Sequence, residues 1–218
     1  MVSVQFGSST KDIWLVEDVF PEKEAKKKIE EQKQKIFGMV SGLIKKFSKK
    51  ENTIEITGIQ KRYEPFWHIE GMSTFEYLRM TDHAFPVGPE VIEIKIGKDK
   101  FKTKEGEAEI HFLGEDHCFE QFEKAITESA ADGASKGLEK YMEAKKKKIK
   151  SPNSLLKTGD IVPIKNRASF LVSRIVKEVL KPIQADKVLQ EKVKITQLDL
   201  YFRPVFSFEL TDTNGKKK

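Results

Sequence analysis

The stretch IEITGIQKRYEPFWHIE, residues Ile54 to Glu70, is echoed by VKITQLDLYFRPVFSFE, residues Val193 to Glu209, at an offset of 139 positions with no gap. Ile56 falls on Ile195, Thr57 on Thr196, Ile59 on Leu198, Tyr63 on Phe202, Pro65 on Pro204, Trp67 on Phe206 and Ile69 on Phe208. Apolar residues alternate in both copies, the period of a strand. A proline inside each aromatic run marks an edge, a bulge or a strand switch, so Tyr63, Phe66 and Trp67 are expected to face two layers. The same offset carries Ile36 onto Ile175, Phe37 onto Val176 and Val40 onto Val179. Helix and strand therefore repeat together. The expected fold class is α+β, with two repeated helix-on-antiparallel-sheet units: residues 1–148, with an added helix, and a shorter unit over 149–218.

Outward from the first copy, Pro21 to Lys50 reads as a helix. Pro21 suits a first turn, Glu22 and Glu24 suit its positive end, and lysines crowd its far end. Ile29, Ile36, Val40, Leu43, Ile44 and Phe47 recur at three- and four-residue steps, so one face is buried. Beyond the first copy, Phe75 and Tyr77, then Val91 to Ile96 and Ala108 to Leu113, continue the alternation and predict four antiparallel strands. The turn between the last two runs falls at Lys104-Glu105-Gly106. A second helix is expected over Phe119 to Lys148, from the spacing of Phe119, Phe122 and Ile126, and a linker over Lys145 to Asp160. Asn166 reads as the cap of a helix carrying Phe170, Leu171, Ile175, Val176 and Val179, stopped by Pro182. The second copy ends at Thr213-Asn214-Gly215-Lys216, where Asn-Gly predicts a hairpin whose returning strand comes from further chain or from another molecule.

The pattern of charged helix, apolar strand and Tyr63-Glu64-Pro65-Phe66-Trp67 resembles a motif of uncharacterised bacterial and archaeal proteins. It is also loosely similar to helix-on-sheet modules of the PepSY and cystatin-like type. The resemblance spans about a third of the chain across both copies. It implies a binding or scaffold module rather than an enzyme, and it transfers no catalytic residue.

Composition bounds the function. The charge of +6 is the small difference between 40 basic and 34 acidic side chains that interleave along the chain, so net charge does not by itself point to nucleic acid. A single cysteine, Cys118, forms no internal disulfide, and the opening residues lack the basic region and continuous apolar core of a signal peptide, which suggests a cytoplasmic protein. No run approaches the 18 or so apolar residues of a transmembrane helix.

Three classes of function are compatible with the residues. The first is a non-catalytic binding or scaffold protein that pairs with a protein partner or with itself through exposed strand edges. The second is a metal protein. All four histidines fall between residues 68 and 117, and His111, His117 and Cys118, near Glu115 and Asp116, supply donor types that zinc accepts. Adjacent His117 and Cys118 point to opposite faces if both lie in a strand, so joint ligation needs a turn at Gly114. The third is a nucleic-acid or anionic-surface binder, using Lys26 to Lys28, Lys45-Lys46, Lys49-Lys50 and Lys145 to Lys148, with Tyr63, Phe66, Tyr201 and Phe202 as stacking platforms. The context GEDHCFE around Cys118 matches no hydrolase motif. Glu70 and Glu209, equivalent in the repeat, are the candidates for a paired-carboxylate site.

Overall fold

A computed structural model describes residues 4–7, 10–17, 21–36, 54–103, 108–133, 135–212 and 217. Its elements are β1 (Val4–Phe6), β2 (Thr10–Val16), α1 (Glu22–Ile36), β3 (Ile54–Pro86), β4 (Glu93–Ile96), β5 (Asp99–Lys102), β6 (Glu109–Ser129), β7 (Lys146–Lys148), β8 (Asp160–Ile161), α2 (Ala168–Val179) and β9 (Lys187–Asp212). Short 3-10 turns lie at Glu139–Tyr141 and Pro152–Lys157. One sheet takes the order β6, β3, β9, β2, β7, with β1 beside β9 and β8 beside β3, while β4 and β5 form a separate hairpin.

The chain divides into two compact units, each assembled from three segments. Unit 1 holds residues 1–6, 71–124 and 176–195, and unit 2 holds 7–70, 125–175 and 196–218. Strand accounts for more than half of the described residues. This overturns the α+β expectation of two helix-on-sheet units. The repeated segments do not found separate sheets, because in unit 2 they are neighbouring strands of one sheet.

Their pairing follows from the repeat itself. Thr57 hydrogen-bonds Thr211 at 2.9 Å, Glu64 meets Arg203, and Phe66 stacks on Tyr201 at 5.1 Å. Rising numbers on β3 meet falling numbers on β9, so the two copies run antiparallel. Two antiparallel copies of one strand can bring only one equivalent pair together, at the local two-fold axis. That pair is Glu64 and Arg203, 139 positions apart; Arg203 Nε and Nη2 both donate to Glu64 Oε2, at 3.1 and 2.6 Å.

The sheet of unit 2 is covered on both faces. On one face Tyr63, Leu200 and Phe202 pack with Leu155 and Ala130, and Ile13, Leu15 and Trp67 lie against them. On the other, Phe66, Tyr201 and Val16 pack with Leu138, flanked by Trp14 and Tyr141. Strand alternation sends Trp14 and Val16 one way and Ile13 and Leu15 the other. Coverage on both sides explains why the aromatic runs lack a polar partner at every second position. Segment 130–161 supplies both covers. Here the expected second helix and linker give way to turns, β7 and the 3-10 turns. Lys146 to Lys148 pair with Val16 to Trp14 at the sheet edge.

In unit 1 the expected four strands become the far end of β3, the β4–β5 hairpin and β6. Ser73 is fully buried and donates its hydroxyl to the Val179 carbonyl at 2.6 Å, satisfying one of the orphan acceptors at the end of α2. The expected helix after Asn166 is present as α2. Asn166 does not cap it through its side chain, which donates instead to the Ser129 carbonyl at 3.0 Å. Residues 37–50 of the first predicted helix, the turn at Lys104-Glu105-Gly106 and the Asn214-Gly215 turn lie outside the described residues. Lys217 bridges back to Thr211 in antiparallel fashion. Among the described residues, no helix is long and apolar enough to cross a membrane.

Candidate functional site

The histidines singled out by sequence sit on the β3–β6 ribbon of unit 1. Glu76 meets His117 and Asp82 meets His111, so the two strands run antiparallel. Along β6, odd-numbered residues from Glu109 to Glu123 are exposed, while the even-numbered residues over the same stretch are more enclosed. That single alternation sorts the candidate metal ligands. His111 and His117 share the exposed face but stand six residues of extended chain apart, about 20 Å. Cys118 points to the opposite face, and Gly114 makes no turn because it lies within β6.

Each histidine instead has carboxylate neighbours. His117 Nε2 lies 2.8 Å from Glu76 Oε1. His111 lies between Asp82, 3.4 Å from Nδ1, and Glu109, 3.5 Å from Nε2. His83, on the other face, meets Asp116 at 2.9 Å. A hydrogen bond from Thr81, with the nearby His83, holds the Asp116 carboxyl below the usual carboxylate range. Among the described residues, no group of three or more His, Cys, Asp or Glu side chains is arranged around one metal position.

The exposed face carries a further set of residues that the histidine search passed over. Leu113 is 68% exposed and Phe119 71% exposed, both on the His111–His117 side of β6. Met80 of β3, 45% exposed, shares the face of Glu76 and Asp82. Three large apolar side chains thus stand in water among acid–histidine pairs. The sequence signal was available, since Leu113 and Phe119 share the odd register of His111 and His117. It becomes readable only once β6 is known to be a strand.

On the enclosed face of the same ribbon, Tyr77 donates its hydroxyl to Glu120 at 2.5 Å. That bond, together with burial, pushes the phenol up to about 12. Cys118 lies on this side and is half-buried.

The remaining candidates lie in unit 2. His68 is buried, with Nδ1 2.8 Å from Thr127 Oγ1 and Nε2 3.2 Å from Glu70 Oε1. Glu209 pairs with Lys217 instead, so the two equivalent glutamates form no joint site. Tyr63, Phe66, Tyr201 and Phe202 are all buried in the sheet and present no surface to a nucleic-acid base. In the lysine run, Lys148 pairs with Asp12 at 2.6 Å, and the Lys146 ammonium stands over the Trp14 and Tyr201 rings at 5.5 and 5.2 Å. Asp199, 3% exposed, accepts hydrogen bonds from Asp12 N, Trp14 Nε1 and Gln197 Nε2 at 3.0, 3.1 and 2.7 Å. Burial, and then the Asp199 charge, push the Tyr201 phenol upward.

Set against known proteins, the chain matches no family model, no curated protein and no solved structure. The fold defines the class on its own terms: a mostly β protein whose long strands build a mixed sheet.

Proposed function

We propose that this chain is a non-catalytic binding module that offers the exposed face of the β3–β6 ribbon to a protein partner. The observation that carries the reading is the exposure of Met80, Leu113 and Phe119 on one strand face. Isolated exposed apolar residues are ordinary, but neighbours of this size on one rigid surface suit a protein interface. Aromatic and methionine side chains are enriched at such interfaces. The Glu76–His117 and Asp82–His111 pairs supply a polar border that leaves the apolar centre to be desolvated. Nothing on this face pairs a nucleophile with a base, which supports binding over chemistry.

Site-specific photo-crosslinking in cells tests the proposal. A crosslinking amino acid at position 119 is expected to yield a discrete adduct that Leu113→Glu abolishes. The same probe at Leu156, an exposed apolar position of unit 2, is the control. Equal adducts at both positions, or none at 119, would overturn the reading. An adduct at twice the chain mass assigns the partner as a second copy.

A further inference from the structure

Unit 2 contains a second feature, independent of the ribbon. Helix α1, EKEAKKKIEEQKQKI, is too polar to bury a broad face, and Ala25 and Ile29 are its half-buried apolar positions one turn apart. They do not close onto the sheet. Between them and Pro204, Val205, Phe206 and Phe208 of β9, with Tyr141 at one side, lies a pocket of about 300 Å3. Packed protein interiors leave few gaps larger than a water molecule. A pocket of this volume with mostly apolar walls belongs at the small end of ligand sites.

The polar groups at its border share one sign. Lys28 forms part of the wall. The Lys61 ammonium stands 5.9 Å from the Phe206 ring. Lys140 and Arg203 stand 5.1 and 5.2 Å from the Tyr141 ring, and Arg203 also donates to the Tyr141 hydroxyl at 3.4 Å. Against these four cations is Glu64, which engages Arg203. Apolar walls under a cationic rim complement a molecule with a short hydrocarbon tail and one negative head. We infer that the pocket beneath α1 binds a free medium-chain fatty acid, its tail against Val205, Phe206 and Ile29 and its carboxylate toward Lys28.

Calorimetric titration of the full chain tests this with three probes: decanoate, decanol as tail without charge, and acetate as charge without tail. Decanoate is expected to saturate one site and to bind about tenfold tighter than decanol, the value of a charge-assisted contact. Acetate is expected not to bind. Lys28→Gln should bring decanoate down to the decanol affinity while leaving decanol unchanged. Val205→Trp should fill the pocket and abolish both, with circular dichroism confirming the fold. Ile29→Trp fills it from the exposed helix if the strand variant fails to fold. Equal affinities for decanoate and decanol, or binding that survives both tryptophan variants, would overturn the assignment. So would sedimentation with phosphatidylglycerol vesicles that Val205→Trp abolishes while free decanoate does not bind, because the occupant would then be a membrane lipid.

Discussion

Asp199 illustrates how much one buried side chain can hold at this site. A register shift in β2 between Thr10 and Ile13, with Lys11 at φ 87°, breaks the ladder next to Asp12, and the Asp12 N–H is then taken up by Asp199. Trp14 and Gln197 complete the set of donors. Removing the acceptor strands three donors, so Asp199→Ala is expected to cost about 3 kcal/mol or more. Asp199→Asn keeps one acceptor oxygen and should cost less, with urea denaturation reading both. Tyr77 gives a pH signature of opposite origin. Its phenol is raised from 10.0 to about 12 by donation to Glu120 and by burial. A raised folded pKa contributes stability that is complete below the unfolded value of 10.0 and is lost as pH rises through 12. Tyr77→Phe should therefore flatten the alkaline fall in unfolding free energy between those values, measured by denaturant titration at fixed pH steps. Equal slopes in both proteins would count against the Glu120 bond.

Among the elements, β6 shows why local spacing misled. Phe119, Phe122 and Ile126 recur at three and four residues, the signature of a helix face, yet Phe119 is exposed while Phe122 and Ile126 are more enclosed. The competing alternation from Ile110 to Phe122 is the one the fold uses. The apparent helix joined an outward residue to two inward ones. In β3 the reverse holds: Gly71 and Ser73 looked like a break, but both are buried within one strand of 33 residues. The close approach of β8 to β3 depends on Gly159, where an added Cβ would lie 2.6 Å from the Lys61 carbonyl oxygen. Gly159→Ala must push backbone from backbone and is expected to destabilise by about 1–3 kcal/mol, read as a lowered Tm. At the local two-fold, a double-mutant cycle on Glu64 and Arg203 should return a coupling of about 0.5–1 kcal/mol, since the pair is partly exposed. No measurable coupling would separate the repeat from its pairing.

Over the whole chain, contacts join the two ends of the sequence. Asp12 reaches Asp199 across 187 positions, and β1 pairs in parallel with residues 193–195 of β9. Such closures cost loop entropy before they return any contact, so folding is expected on the millisecond-to-second scale, measurable by stopped-flow fluorescence of Trp14 and Trp67. Residues 1–186 lack β9, the central strand of unit 2, and should remain without cooperative unfolding when expressed alone. Surface changes behave differently. Leu113→Glu and Phe119→Glu are expected to shift stability by no more than about 0.5 kcal/mol, because the two side chains are largely exposed. That small cost is what lets the photo-crosslinking result be read as loss of binding.

The repeat, the two-layer placement of Tyr63 and Phe66, and the helix after Asn166 were legible in the sequence because each depends on residues near one another in the chain. Periodicity and proline placement act through local backbone geometry. The sequence could not say that its two copies would pair with each other, for strand partners are chosen by burial and register among distant segments. It likewise named His111, His117 and Cys118 without revealing their separation, which the extended geometry of β6 decides. The pocket beneath α1 lay outside any pattern. Its walls come from residues 25–29, 141 and 204–208, and only the packing of a polar helix over a strand left that space between them.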